Sequence, residues 1–106
     1  MRKFRQFLLC VLSCCTFLTF VSCVSNPPVS DYSIARAAYD AAKESGAPRL
    51  APAQWFKADQ AYKKAQKLFK ERDYSGAREA FEESRFLSEK AENTARTTSP
   101  DGGGLQ

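Results

Sequence analysis

From Ser30 to Ala95 apolar and polar residues alternate with the period of an α-helix, in three blocks divided by turn signals. The second block is the clearest. Trp55, Ala58, Tyr62, Ala65 and Phe69 recur at spacings of 3, 4, 3 and 4, with Ala61 and Leu68 widening the stripe. One side of a helix is then apolar, while Lys57, Lys63, Lys64, Lys67 and Lys70 stand on the opposite face. The third block places Ala77, Phe81, Ser84, Ser88, Ala91 and Ala95 at spacings of 4, 3, 4, 3 and 4, with Ala80 and Leu87 alongside and Phe86 outside the seam. In the first block Ile34, Ala38, Ala41 and Ala42 form one stripe, and Tyr32, Ala35, Tyr39 and Ala42 an adjoining one. Tyr32 and Tyr39 are read as packing on the neighbouring helix in preference to forming a binding ladder.

Punctuation sets the boundaries. Ser30 is a good N-cap with Asp31 favourable in the first turn, Gly46 is the expected residue after a helix end, and Pro48 lies just beyond. Pro52 suits the first position of the next helix; Leu50, in the connector Gly46–Ala51, is expected to plug the end of the core. Arg72, Asp73 and Tyr74 form a turn, Asp73 or Ser75 caps the last helix, and Gly76 costs little in its first turn. The predicted fold is all-α: a three-helix array with helices at about 31–45, 52–72 and 75–95. The last two, each about 21 residues or roughly 30 Å, make a long antiparallel hairpin because the turn between them is short. The cationic second helix and the glutamates of the third (Glu79, Glu82, Glu83, Glu89, Glu92) suggest flanks that pair across the hairpin. Residues 97–106 (TTSPDGGGLQ) lack periodicity and are expected to be a disordered tail.

Ahead of these blocks stands a different pattern. Met1–Gln6 carries Arg2, Lys3 and Arg5 and no acid, and Phe7–Cys23 is an apolar run, the layout of an export signal. Phe20-Val21-Ser22-Cys23 resembles the lipobox of bacterial lipoproteins. That resemblance implies a signal peptide over residues 1–22, acyl chains of the palmitate kind on the Cys23 thiol, and Cys23 as the first mature residue. Two alternatives stay open: processing at Cys14, after Val11-Leu12-Ser13, and an uncleaved anchor over Phe7–Val24. Residues 23–29 (CVSNPPV) form a short tether that Pro27 and Pro28 hold extended, ahead of a helical domain over 30–96. Val24 is not aspartate, which by the same resemblance favours the periplasmic face of the outer membrane where one exists.

The signal changes how the composition is read. The chain of 106 residues has 16 Lys+Arg and 12 Asp+Glu, a formal net charge of +4. Loss of residues 1–22 removes three cations and no acid, leaving about +1. A nucleic-acid reading built on basicity therefore fails. Three of the four cysteines (Cys10, Cys14, Cys15) leave with the signal, the fourth is the lipidation site, and the chain has no histidine. Disulfides, Cys/His metal sites and Cys- or His-based nucleophilic catalysis are thereby excluded. Without a Gly-rich phosphate loop, no cofactor and no small-molecule substrate are expected. The acids that remain read as a cap (Asp73) and a solvated face (Glu82, Glu83), so the protein is not expected to be an enzyme.

The hairpin from Leu68 to Ser84 resembles the middle of a single tetratricopeptide repeat, with Tyr74, Ala77 and Phe81 on the locking positions and Ala65 and Leu68 on the preceding helix. Arg72 replaces the turn glycine and the closing proline is missing. More widely, Ala35–Ala95 is similar to a family of small bacterial envelope lipoproteins whose domain has no known function. The resemblance is carried by Ala37, Ala38, Ala41, Gly46, Ala47, Ala51, Pro52, Ala58, Ala61, Ala65, Asp73, Tyr74 and Ala77. It implies a fold and an address but no activity. Nine aromatic residues follow Cys23, more than three helices of this length bury. Phe56 and Phe86 lie off their stripes and are the candidates for binding an envelope protein partner. The competing reading has Phe56 stapling the connector and Phe86 packing on the first helix. Self-association into a structural spacer at the membrane surface is the alternative function, since small domains often need oligomerisation.

Overall fold

The computed structural model describes residues 1–16 and 26–100. Cys23 lies outside them, as do residues 101–106. The described residues form five helices: α1 (Arg2–Thr16), α2 (Val29–Glu44), α3 (Ala47–Leu50), α4 (Pro52–Lys70) and α5 (Tyr74–Thr98). The described residues contain no strand. The all-α array and its hairpin are as the periodicity predicts. Among the described residues α1 touches no other helix, so the fold proper is α2 to α5 and holds its own core.

α5 is the spine. It packs most extensively on α4 and next on α2, whereas α2 and α4 meet only lightly. The reason lies in side-chain size. The face of α5 that disappears from solvent is Ala77, Ala80, Phe81, Ser84, Ser88, Ala91 and Ala95; apart from Phe81 these are small and let a neighbouring backbone approach. Alanines meet them from α4 (Ala58, Ala61, Ala65) and α2 (Ala35, Ala42). Aromatic rings fill the wedge left between α2 and α4. Phe81, wholly buried, is the hub: its ring meets those of Tyr32, Phe69 and Tyr62 edge-on at 5.4, 6.2 and 6.4 Å. Tyr39 of α2 stacks on Tyr62 at 4.4 Å and lies 4.8 Å from Trp55. Edge-to-face and stacked pairs at these separations add about 0.5–1.5 kcal/mol each beyond area burial.

These contacts also give the helix directions. Tyr32, near the start of α2, meets the end of α4 and the first third of α5, whereas Ala42, Ala47 and Ala51 cluster with Ala91 and Ala95 at the other end. Leu50 and Trp55 pack against that second cluster, so Leu50 does plug the end of the core. The connector containing it is a short helix, not an open loop. Gly46 turns the chain into it with φ +81°, and a Cβ there would lie 3.3 Å from the Leu50 side chain.

Several boundaries differ from expectation. Ser30 does not cap α2. The Val29 N–H donates to the Pro27 carbonyl at 2.9 Å, with Pro28 at φ −78° and ψ 64°, an inverse γ-turn. The Pro28 carbonyl then accepts from the Tyr32 N–H at 3.0 Å. The helix therefore starts at Val29, and the two prolines turn the tether and bury Pro28 instead of holding it extended. α5 runs three residues past Ala95, because Thr97 and Thr98 donate their hydroxyls to the Asn93 and Thr94 carbonyls at 3.1 and 2.8 Å; Pro100 follows. Thr97 and Thr98 are thus helix and not tail. The cross-hairpin charge pairing is absent among the described residues. Five of the six ion pairs join residues four apart on one helix, and Arg78–Asp31, at 3.5 Å, alone crosses between helices. Exposed flexible side chains take the nearest partner, which lies one turn along their own helix.

α4 stops at Lys70, two residues early, in a Schellman arrangement. The Arg72 N–H donates to the Phe69 carbonyl at 3.1 Å and the Asp73 N–H to Leu68 at 3.0 Å. Arg72 sits at φ +62°, a left-handed conformation that suits glycine. Asp73 then caps α5, its carboxylate accepting from the Gly76 N–H at 3.0 Å. A Cβ on Gly76 would approach that carboxylate to 2.6 Å, so glycine here makes room for the cap. Arg72→Gly should raise stability by about 0.5–1 kcal/mol, since the left-handed penalty exceeds the extra entropy of glycine; an unchanged or lower denaturation midpoint would contradict this. Gly76→Ala alone should yield almost none of the roughly 1 kcal/mol that helix propensity offers. In an Asp73→Ala background, where the cap worth about 1 kcal/mol is already gone, the same change should recover it. Additive effects in that double-mutant cycle would show that glycine and cap are independent.

Candidate functional site

Phe56 and Phe86 are the two residues on which a docking function was expected to rest. Phe56 is 64% and Phe86 62% exposed, so neither staples the connector nor packs on α2. Helical geometry explains both. Phe56 follows Trp55 by one residue and precedes buried Ala58 by two, which turns it to the outer face of α4, the face that Lys63 and Lys67 share two and three turns further on. Phe86 lies two residues from both Ser84 and Ser88, opposite the buried seam of α5. α4 and α5 pack through their buried faces, so the two rings project from different helices and do not form one patch. Phe86 overhangs an open cleft of about 300 Å³ lined by Glu89, Lys90, Asn93 and Thr94. Both rings are level along the hairpin, because Phe56 lies 15 residues before Glu71 and Phe86 13 after Asp73.

A second, smaller cleft of about 190 Å³ lies between α2 and α5, with Asp31, Ile34, Arg78, Phe81, Glu82 and Arg85 around it. Ile34 is 49% exposed there. Among the described residues no group of three or more Cys, Asp or Glu gathers as for a metal ion, and no helix is long and apolar enough to cross a membrane. Of the apolar run, α1 leaves Phe4, Phe7, Leu8, Leu9 and Val11 exposed, and the lipidation candidate Cys23 falls outside the described residues.

Sequence reasoning overlooked one polar network. The Tyr39 hydroxyl donates to Asp59 Oδ1 at 2.8 Å, and Lys63 Nζ donates to Oδ2 of the same carboxylate at 2.7 Å. The Asp59–Lys63 half was legible as an i, i+4 pair; the Tyr39–Asp59 half spans two helices and left no local signal. Partial burial and the bond to Asp59 push the Tyr39 phenol up to about 12, and the donated bonds, that from Lys63 foremost, hold the Asp59 carboxyl below its ordinary value against the opposing effect of burial. A phenol held neutral and a carboxylate held ionised tie α2 to α4; neither is poised for proton transfer near neutral pH.

A family model described as "Domain of unknown function (DUF4398)" matches residues 30–99. No curated protein and no solved structure shows a significant match.

The pH consequence carries a definite sign. Tyr39 has a raised folded-state pKa, so its contribution is complete below pH 10 and is lost as pH rises through about 12. Asp59 has a lowered one, so its contribution is complete above the unfolded value of 3.8 and is lost as pH falls below it. Among the four tyrosines, the component of the tyrosinate absorbance titration near pH 12 should disappear in Tyr39→Phe, and the decline of stability between pH 10 and 12 should become shallower. Tyr39→Phe should also move the acid limb upward, because Asp59 loses one of its two donors. A variant whose alkaline titration and acid limb both match the parent would show that the network does not control these groups.

Proposed function

Because the chain belongs to the DUF4398 family, a domain of unknown function, its role must be read from its own residues. We propose that it is a membrane-anchored bacterial lipoprotein acting as a non-catalytic protein-interaction or scaffold module in the cell envelope. The anchor is the acylated Cys23 of the lipobox Phe20-Val21-Ser22-Cys23, with the outer membrane's periplasmic face as its site. Two or three acyl chains there give stable attachment where one would be marginal. Neither a small-molecule substrate, a cofactor nor a nucleic acid enters this role.

The observation carrying the interaction reading is the contrast among aromatic residues. Seven of the nine interlock across α2, α4 and α5, while Phe56 and Phe86 are left in solvent. A large ring contributes most to binding when a partner desolvates it, and these two contribute nothing to the core. The Tyr74, Ala77 and Phe81 arrangement that resembles a tetratricopeptide unit fits such a module, because its packed face fixes the hairpin and frees the outer faces. A second reading, self-association into a spacer at the membrane surface, is favoured by α2, where Ile34 and Ala37 remain exposed on a helix rich in alanine.

Proximity labelling from the intact protein should mark a defined set of envelope proteins, and Cys23→Ser should disperse it. Phe56→Ala and Phe86→Ala should each leave the unfolding free energy within about 0.5 kcal/mol of the parent while depleting that set. Unchanged neighbours in both variants would remove these rings from the interaction. Sedimentation of the chain as a concentration-dependent oligomer, abolished by Ile34→Glu, would replace the partner reading with the self-associating one.

A further inference from the structure

The chain reaches the helical domain at one particular end. Pro28 is buried where α2 begins, Asp31 reaches Arg78 at 3.5 Å, and Tyr32 lies against Phe69 and Phe81 at ring separations of 6.1 and 5.4 Å. These partners flank the α4–α5 turn. The start of α2 and the tip of the hairpin are therefore the same end of the domain, and Gly46–Ala51 with Ala91 and Ala95 form the other.

We infer that the hairpin tip, Lys70 to Tyr74, faces the lipid surface and that the domain stands away from the membrane on it. The inference rests on the anchored reading with the anchor at Cys23 or in an uncleaved Phe7–Val24, either of which leaves only a short tether ahead of α2; an anchor at Cys14 would not carry it. Lengths decide between orientations. From Cys23 to Pro28 the chain spans five residues, at most about 17 Å when extended. With the domain inverted, Pro28 would stand at least the length of α2 above the bilayer, about 24 Å for 16 residues. The tether is too short for that. In the upright arrangement Lys70 and Arg72, neither in an ion pair among the described residues, reach the headgroup level together with Glu71 and Asp73, all four exposed. The tip therefore carries no net charge, and the tether length, not charge, sets the orientation. Phe56 and Phe86 then stand level with each other, roughly 20 Å beyond the tip at 1.5 Å per residue. Any partner engaging both meets the domain from the side, clear of the headgroups.

The test uses the full chain in a bacterial host, with a photoreactive diazirine amino acid in place of Lys70 at the tip or of Arg49 at the far end. Alkynyl palmitate supplied to the cells reports acylation separately, with Cys23→Ser as its control. After irradiation, phospholipid adducts identified by mass are expected at position 70 and several-fold fewer at position 49. Equal adducts at both positions, as from a domain lying flat, overturn the orientation, and so does an excess at position 49. Acylation with either of those patterns retains the lipoprotein and discards the orientation. Adducts at neither position, with no acylation, discard both.

Discussion

Close approach along α5 is the constraint from which the rest of the domain follows. Ala77, Ala80, Ser84, Ser88, Ala91 and Ala95 present almost no side-chain bulk, so α4 and α2 both settle on this one helix. Two helices drawn against the same narrow spine leave a wedge between themselves, and only long flat side chains fill it. Tyr32, Tyr39, Trp55, Tyr62 and Phe69 supply them, with Phe81 of α5 wholly buried among them. The small seam and the large rings are thus two halves of one packing solution. It has a cost: the Ser84 and Ser88 hydroxyls are buried with no hydrogen-bond partner, at about 1–3 kcal/mol for each group left unsatisfied. Truncating Phe81, by contrast, removes about 3–5 kcal/mol from a domain whose whole stability is expected in the range of 5–15 kcal/mol. The seam tolerates imperfection; the hub does not.

Which parts of this were legible in the sequence follows from how local each cause is. The stripe Trp55, Ala58, Tyr62, Ala65, Phe69 and the seam of α5 are statements about one helix, and periodicity reveals them directly. Gly46 and Pro52 mark boundaries by backbone geometry alone, so they too were readable. Pro28 misled because its carbonyl, not the Ser30 hydroxyl, takes up the free N–H of Tyr32; the γ-turn that arranges this has no compositional mark. Thr97 and Thr98 misled because threonine is a mediocre helix former on average, yet its hydroxyl can bond the preceding turn. The Tyr39–Asp59 bond required knowing which face of α2 meets which face of α4. Phe56 and Phe86 were legible as exceptions to their stripes, and the structure leaves them exposed without bringing them together. Cys23, the residue on which the proposed anchor depends, is marked only by its resemblance to a lipobox and lies outside the described residues.

Electrostatics in this domain works at short range. A lysine-rich α4 beside a glutamate-rich α5 invites the idea of a charged zipper, but the pairs that these helices form, Lys63–Asp59, Lys67–Glu71, Arg85–Glu89 and Arg96–Glu92, lie one turn apart along the same stretch of chain. Register is set instead by the packing of small and aromatic groups, and by Asp59, whose carboxylate is shared between a phenol on α2 and an ammonium on its own helix. Arg78–Asp31 performs a similar service at the tip. Both are polar contacts across helices at the margin of the aromatic wedge, beside Tyr39 and Tyr32.

The clefts that Phe86 and Ile34 border are open, and the core is filled by rings that interlock. What distinguishes one such domain from another is then what stands on the outer faces, which the packing leaves free. On α4 and α5 each outer face bears one phenylalanine, level with the other and set back from the tip. Placing two aromatic rings in water brings the fold no stability, and the rigid hairpin beneath them holds their separation constant. If the domain stands on its tip as proposed, that rigidity gives the rings a fixed height above the lipid surface. The same close packing that fills the interior thereby gives the exterior rings a fixed spacing.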